Sequence, residues 1–294
     1  MMEPIPVYVR IVGSVLAVVA VLILGLSLLA GTVSAAAVIA SVHKTTPYAV
    51  GDAPRLHLDV QYGPVIVEAG RDGRIVVDDQ HSAGFITRAG AGAAASQAEV
   101  SISHQAKEVS IRETTPLAQG ASINRSALLR VQVPAHTNLD ITSLEAVTVT
   151  GVEGNMKIRS AYARTAVSHA TLRGDSTIDG GFGDVHLDDV TVSGTATLKS
   201  TLGDVVFAGS MLPGGTTLSI DAGRFNKVSI TLPHPTDARA TVTTRLGKLN
   251  ANPVWHFSSV QSRSNRSWTA DLGPNPSGTV NVTADAGNVD FGAR

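Results

Sequence analysis

The sequence predicts an all-β protein: a repeated-strand, β-solenoid-like ectodomain behind one N-terminal transmembrane helix. Three observations predict it. Val, Thr, Gly and Ala are abundant and aromatic residues make up only 4% of the 294 residues, a mix that suits many short strands joined by tight turns. A glycine-led triplet recurs twenty residues apart, at Gly183-Asp184-Val185, Gly203-Asp204-Val205 and Gly223-Arg224-Phe225. The run from Ile11 to Val42 contains no charged residue.

That run comes first along the chain. "IVGSVLAVVAVLILGLSLLA" alone meets the roughly 20-residue requirement for a spanning helix. A signal peptide has an apolar region of only about 7–15 residues, so the length points to a retained anchor, although "VSA" and "AAA" near Ala35 to Ala37 match small-residue cleavage sites. Arg10 on one side and Lys44 and Arg55 on the other leave the positive-inside rule almost balanced. A short cytoplasmic tail with the large domain outside is the simpler topology. Residues 1–45 are therefore expected to be tail and transmembrane helix, 46–55 a linker and 56–294 the extracytoplasmic domain of a single-pass cell-membrane protein.

Residues 56–135 read as an irregular β region. "RLHLDVQYGPVIVEAGRDGRIVVDD" alternates apolar and polar residues around turns at Gly63-Pro64 and Asp72-Gly73, which is strand, turn, strand. "AGAGAAASQA" at 89–98 is a low-complexity loop. "EVSISHQAKEVSIRE" is a hairpin candidate, and "ALLRVQVPAHTNLDI" follows it. No segment beyond the anchor sustains a helical period.

Residues 136–294 read as regular rungs. Ile158, Ile178 and Leu198 precede the glycine turns, Leu187 and Phe207 follow them, and Leu172, Val192 and Leu212 come behind. Gly247-Lys248-Leu249 and Gly287-Asn288-Val289 continue the form at looser spacing. A period in the twenties marks a solenoid, in which each repeat buries its apolar side chains only by stacking. With strands about 4.8 Å apart, Ile178 would lie on Leu198 and Val185 on Val205.

The candidate site is the turn itself. Gly183, Gly203 and Gly223 supply backbone freedom, and Asp184 and Asp204 can bond their own turn amides. In-register stacking would place Arg164, Asp184, Asp204 and Arg224 in one charge-balanced column, with His186 exposed beside the acids. Two functional alternatives use the same residues. Asp175, Asp179, Asp184, Asp188 and Asp189 offer oxygens for calcium, but neither the EF-hand nor the nine-residue β-roll pattern is present. Asp184 and Asp204 could serve a carbohydrate-active enzyme as a close carboxylate pair.

Other chemistries are excluded by what is missing. There is no cysteine for disulfides or thiolate metal sites, and lysine and arginine do not cluster as a nucleic-acid partner requires. No phosphate loop, dinucleotide fingerprint or G-x-S-x-G elbow occurs, and no histidine pair has metal-helix spacing. "SVHK" at 41–44 is a chance S-x-x-K match. Residues 253–276 interrupt the repeat and hold both tryptophans, Trp255 and Trp268, with Arg263 and Arg266. These residue types are enriched at binding hot spots; the alternative is that the tryptophans cap the apolar end of the stack.

The segments "LLRVQVPAHTNLDITSLEAVTVTGVEGNMKI", "GGFGDVHLDDVTVSGTATLKSTLGDVVF" and "GTVNVTADAGNVDF" resemble the toast-rack, or putative-adhesin, β-strand-repeat family of bacterial membrane proteins, a domain family of unknown function. The resemblance spans about 56–291 and departs from the usual aspartate at Arg224 and Lys248. It implies a repeated-strand domain outside the cell, attached to a membrane helix, with a role in envelope-stress sensing, surface attachment or protein interaction. It carries over no catalytic residue. The expectation is a non-enzymatic module without a cofactor, whose partners are the membrane through its helix and an envelope protein or surface ligand.

Overall fold

The computed structural model describes residues 38–71, 73–85, 99–114, 124–224, 226–262 and 264–294. The anchor segment up to residue 37 lies outside them, as does the 89–98 loop. Among the described residues every regular element is a β-strand, and no helix is long and apolar enough to cross a membrane.

The first part of the chain holds β1 (Val38–Ala49), β2 (Arg55–Val60), β3 (Val65–Ala69), β4 (Arg74–Phe85), β5 (Glu99–Gln105), β6 (Glu108–Thr114) and β7 (Asn124–Val133). The middle holds β8 (Asn138–Ser143), β9 (Val147–Thr150), β10 (Glu153–Gly154), β11 (Met156–Ser160), β12 (Thr165–Ser168), β13 (Thr171–Asp179), β14 (Val185–Ser200) and β15 (Val205–Met211). The last part holds β16 (Thr217–Ala222), β17 (Val228–Leu232), β18 (Ala238–Thr244), β19 (Leu249–Ala251), β20 (Ser258–Gln261), β21 (Arg266–Asp271), β22 (Gly278–Ala284) and β23 (Val289–Ala293). Residues 38–49 had been expected to end the helix and form the linker. They instead make β1, whose backbone pairs antiparallel along all of β4.

The strands stack in two columns joined by corner turns. In the first column β2, β8, β11, the end of β13, the end of β14 and β16 run parallel in that order. The second column contains β3, β9, β12, the start of β14, β15 and β17. Alternation makes this arrangement stable. Every second residue is buried toward the other column and most of these are Val, Ile, Leu or Phe, where β-branched and aromatic side chains pack best. Ile158, Ile178, Leu198 and Ile220 form one such row, and Val185, Val205, Val228 and Val289 another. All eight are buried. The expected pairings of Ile178 with Leu198 and Val185 with Val205 are present.

Two expected rows are corrected. Asp189 is an extra residue with φ of 52° where the β14–β15 register shifts. Val192 therefore pairs with Met211, and Leu212 is left 46% exposed. The third turn also departs from the period. Thr217 pairs with Thr195, 22 residues earlier, and Val228 with Val205, 23 residues earlier. Added residues thus move Gly223 and Arg224 out of the corner column.

The ends of the stack are not in chain order. β22 lies between β16 and β18, and β23 between β17 and β19. At the other end β2 lies between β6 and β8, and β3 between β7 and β9. Antiparallel strands close both ends: β5 on β6, β4 and β1 beyond β7, and the β20–β21 hairpin on β18.

Candidate functional site: the corner turns

The backbone ladder runs through the corners without a break. Thr165 N–H donates to the Asp184 carbonyl at 2.8 Å, Val185 N–H to that of Asp204 at 2.8 Å, and Val205 N–H to that of Lys227 at 3.0 Å. The side chains add a second ladder. Asp204 N–H donates to Asp184 Oδ1 at 2.8 Å, Lys227 N–H to Asp204 Oδ1 at 2.8 Å, and Lys248 N–H to Asn288 Oδ1 at 3.1 Å. These acids bond the next rung's amide, not those of their own turn as expected. A strand amide at a corner has no partner within its own turn, and the neighbouring carboxylate meets that need.

The column reads Arg164, Asp184, Asp204, Lys227, Asn288, Lys248. Lys227 therefore takes the place expected for Arg224. The Lys227 ammonium contacts Asp290 at 2.8 Å, and this bond, with the nearby negative charge, raises its pKa. Arg224 pairs instead with Asp285 at 3.3 Å, which also binds Arg245. On the opposite flank Arg164 Nη2 lies 2.7 Å from His186 Nδ1. A guanidinium can only donate, so Nδ1 is the acceptor and the imidazole is neutral. Partial burial first, then the Arg164 charge, lowers the His186 pKa.

At Gly183 and Gly203 glycine is required for space. Gly203 is not in the left-handed region. A Cβ there would lie 2.2 Å from the Gly183 carbonyl oxygen, and one on Gly183 would lie 2.1 Å from that of Ala163. At these two rungs the neighbouring backbone leaves no room for a side chain, whereas Ala163 and Asn226 hold the same place on the rungs either side.

A buried hydroxyl three residues before the turn glycine was missed. Ser200 Oγ donates to the Gly183 carbonyl at 3.0 Å and accepts from Gly203 N–H at 2.9 Å. Thr244 Oγ1 donates to the Gly247 carbonyl at 3.0 Å. The signal was present as S/T-x-x-G in "STLG" and "TRLG".

The calcium candidates do not converge. Asp179 accepts from Gly181 N–H, Asp184 from Asp204 N–H, and Asp189 lies 3.9 Å from His169. Among the described residues no three His, Asp or Glu side chains surround one point.

With this geometry in place, the chain can be compared with known proteins. No family model matches it, and no curated protein does. Structural similarity extends to a "putative cell adhesion protein" from Clostridium sporogenes, at 10% identity over 86% of this chain and 100% of that one, with a TM-score of 0.34. It extends also to a "putative adhesin" from Bacteroides fragilis, at 7% identity over 85% and 97%, with a TM-score of 0.37. A "putative lipid binding protein" from Parabacteroides distasonis aligns at 8% identity over 84% and 96%, with a TM-score of 0.27. At these scores the likenesses carry no argument about this chain.

The second expected surface is divided by the fold. Trp255 is 3% exposed, with its ring edge-on to His234 and Phe291, and it belongs to the core. A buried side chain is not a free contact, so Trp255 is corrected from candidate surface residue to part of the end closure. Trp268 is half-buried in β21 opposite Val242. Arg266 is exposed, and Arg263 lies outside the described residues.

The turns present a different surface. Tyr62, Leu144, Tyr162, Phe182 and Leu202 occupy five successive corners of the stack and are all exposed, the last three at 68%, 52% and 58%. Neighbouring turns are tied by backbone bonds, such as Tyr162 N–H to the Leu144 carbonyl and Phe182 N–H to that of Ala161. The side chains therefore project outward as a row about 19 Å long at ~4.8 Å per rung. Tyr162 and Phe182 stack with ring centroids 5.8 Å apart and their planes nearly parallel. At the first corner the buried Glu113 carboxylate accepts from Gln61 and Tyr62 N–H and fixes that turn.

Proposed function

We propose that this protein is a non-enzymatic, membrane-anchored extracytoplasmic module in which a β-solenoid displays continuous surfaces for protein interaction, stress sensing or surface attachment. One observation carries the non-enzymatic part: Asp184 and Asp204, the acid pair stacked at successive corners, each commit Oδ1 to the backbone N–H of the next rung. Their role is to hold the stack. In-register stacking supports the display role, because it converts single exposed residues into rows that a partner can follow.

The enzyme alternative is tested by incubating the protein with cell-wall and plant polysaccharides. No cleavage is expected from wild type. Reproducible cleavage that is lost in Asp184→Asn would make the acid pair catalytic and overturn the proposal. The anchor is tested by N-terminal sequencing of membrane-extracted protein. The part of the uncharged run that precedes β1, residues 11–37, would extend about 40 Å as helix against a core of about 30 Å, so it is expected to be retained. A mature start near Ala36 would make the protein a secreted domain.

A further inference from the structure

We infer that the row of exposed corner turns, Tyr62 to Leu202, is a lipid contact that lays one edge of the domain on the bilayer holding its anchor. This rests on the anchor proposed above. Contiguous exposed apolar side chains are uncommon on a soluble surface and mark interaction sites, and three observations favour a membrane as the occupant.

The first is where the chain enters. β1, β4 and β7 form an antiparallel arm at the Tyr62 end of the row, and the arm passes the corners on the same side as the row. Val38 pairs with Phe85 and Gly84 with Asn124, so the start of β1 is at the arm's tip. In the sequence the uncharged segment immediately precedes that tip. A bilayer entered from that tip faces the row.

The second is height. A Cβ on Gly63 would lie 2.1 Å from the Ala127 carbonyl oxygen, which sets the apex of the first turn level with Ala127. The arm continues three residues further to Asn124, or about 10 Å at ~3.3 Å per residue. A headgroup layer is about 5–8 Å thick on each side of the hydrocarbon core. An arm tip seated at the core boundary therefore brings the outstretched Tyr and Phe rings down to the headgroups, the depth that such side chains favour.

The third is charge. Beside the row, Arg159, Asp179 and Lys199 are in register on one flank, and Arg164, Asp184 and Asp204 on the other. These six charges cancel, and Asp59 on the first rung is paired with Arg112. Glu145 in the Leu144 turn adds a negative charge, so the seating rests on apolar contact and does not draw on anionic lipid.

The absence of cysteine allows clean single-site labelling. The full chain, as Phe182→Cys, Leu202→Cys or Ser219→Cys, is labelled with bimane and reconstituted in phosphatidylcholine vesicles carrying a shallow nitroxide lipid. Ser219 is on the outward face of β16, away from the corners. Each variant is first matched to wild type in melting temperature. The expected result is loss of emission at 182 and 202 and none at 219, unchanged by salt or added anionic lipid. Emission retained at 182 and 202 in protein that resists carbonate extraction overturns the lipid contact and leaves the anchor standing. Protein released by carbonate overturns the anchor and this inference with it. Labels shielded from aqueous iodide but insensitive to nitroxide lipid reveal a protein occupant and also overturn it.

Discussion

The middle of the stack and its two ends are built from the same strands but ordered by different rules. From β11 to β15 each rung lies on the one preceding it in sequence, and the twenty-residue spacing is the register itself. At the ends the outermost sequence rungs move inward: β22–β23 between two earlier rungs, and β2–β3 between two later ones. The difference shows what periodicity encodes. It records neighbours only where neighbours are consecutive. An inserted rung is specified by side-chain fit over long separations, such as Val282 between Ile220 and Val242.

The largest expected effect comes from removing an inserted rung. A chain ending at Pro276 lacks β22 and β23. β16 keeps its partner β14, whereas β18 loses its only link to the rest of the first column. In a stack stabilised by nearest neighbours, loss of one interface uncouples what lies beyond it. Hydrogen exchange should show loss of protection across 238–271, with 156–211 still protected. Protection retained over 238–244 would mean that β18 has moved onto β16, and that the order of rungs is not fixed by fit.

Next comes the contrast between a middle corner and an end turn. Gly203→Val forces a branched side chain against a carbonyl 2.2 Å from its Cβ. The neighbouring backbone is itself paired and cannot yield, so a loss of about 3 kcal/mol or more is expected. Gly73, between β3 and β4, has φ of +76° with open space around it. Gly73→Ala meets only the left-handed backbone penalty, about 1–2 kcal/mol. Thermal unfolding of the two variants orders them, and equal losses would refute the close-packing account of the corner.

The sequence made the all-β class, the middle register and the Asp184–Asp204 neighbourhood legible, because each is a consequence of strict alternation and a fixed repeat. The third corner was not legible. Gly223-Arg224-Phe225 copied the triplet, but Val228 and Ile230 carry the inward pattern there, and buried apolar alternation outranks a turn motif in setting register. β1 was hidden for a similar reason: "VIASV" is apolar enough to extend the anchor, and only its pairing with β4 makes it a strand. In the sequence the exposed row is masked by the stronger Gly-Asp-Val repeat beside it. The residue just before the glycine, in "YGPV", "FGDV" and "LGDV", carried the signal.

The two regions also titrate in opposite senses. In the arm, His81 is buried 2.6 Å from Asp79, and that bond, against desolvation, raises its pKa. Its contribution is complete below the ordinary histidine value of 6.5 and is lost as pH rises through the higher folded value. His186 has a lowered pKa, so the folded state resists its protonation and stability falls as pH drops below 6.5. His81→Gln should flatten the alkaline limb of the stability–pH curve, and His186→Gln the acid limb. Urea unfolding across pH 5 to 8.5, near the usual histidine range, measures both. The same limb flattening in both variants would remove the contrast.

The smallest effect expected is at the corner acids, and it separates scaffold from site. Asp204 Oδ1 serves Lys227 N–H. Asparagine offers the same carbonyl acceptor, as Asn288 already does for Lys248 two rungs on. Asp204→Asn also removes one of two adjacent negative charges at an exposed position, so a change within about 0.5 kcal/mol is expected. Asp204→Ala leaves the Lys227 amide to water or to nothing, and should cost about 1 kcal/mol. The ordering Ala worse than Asn is the signature of an acceptor, since a role resting on charge would make the two alike. Calcium should leave the melting temperature of wild type unchanged. A calcium-dependent rise that Asp204→Asn abolishes would make these acids a metal site, and the ladder would then be its frame.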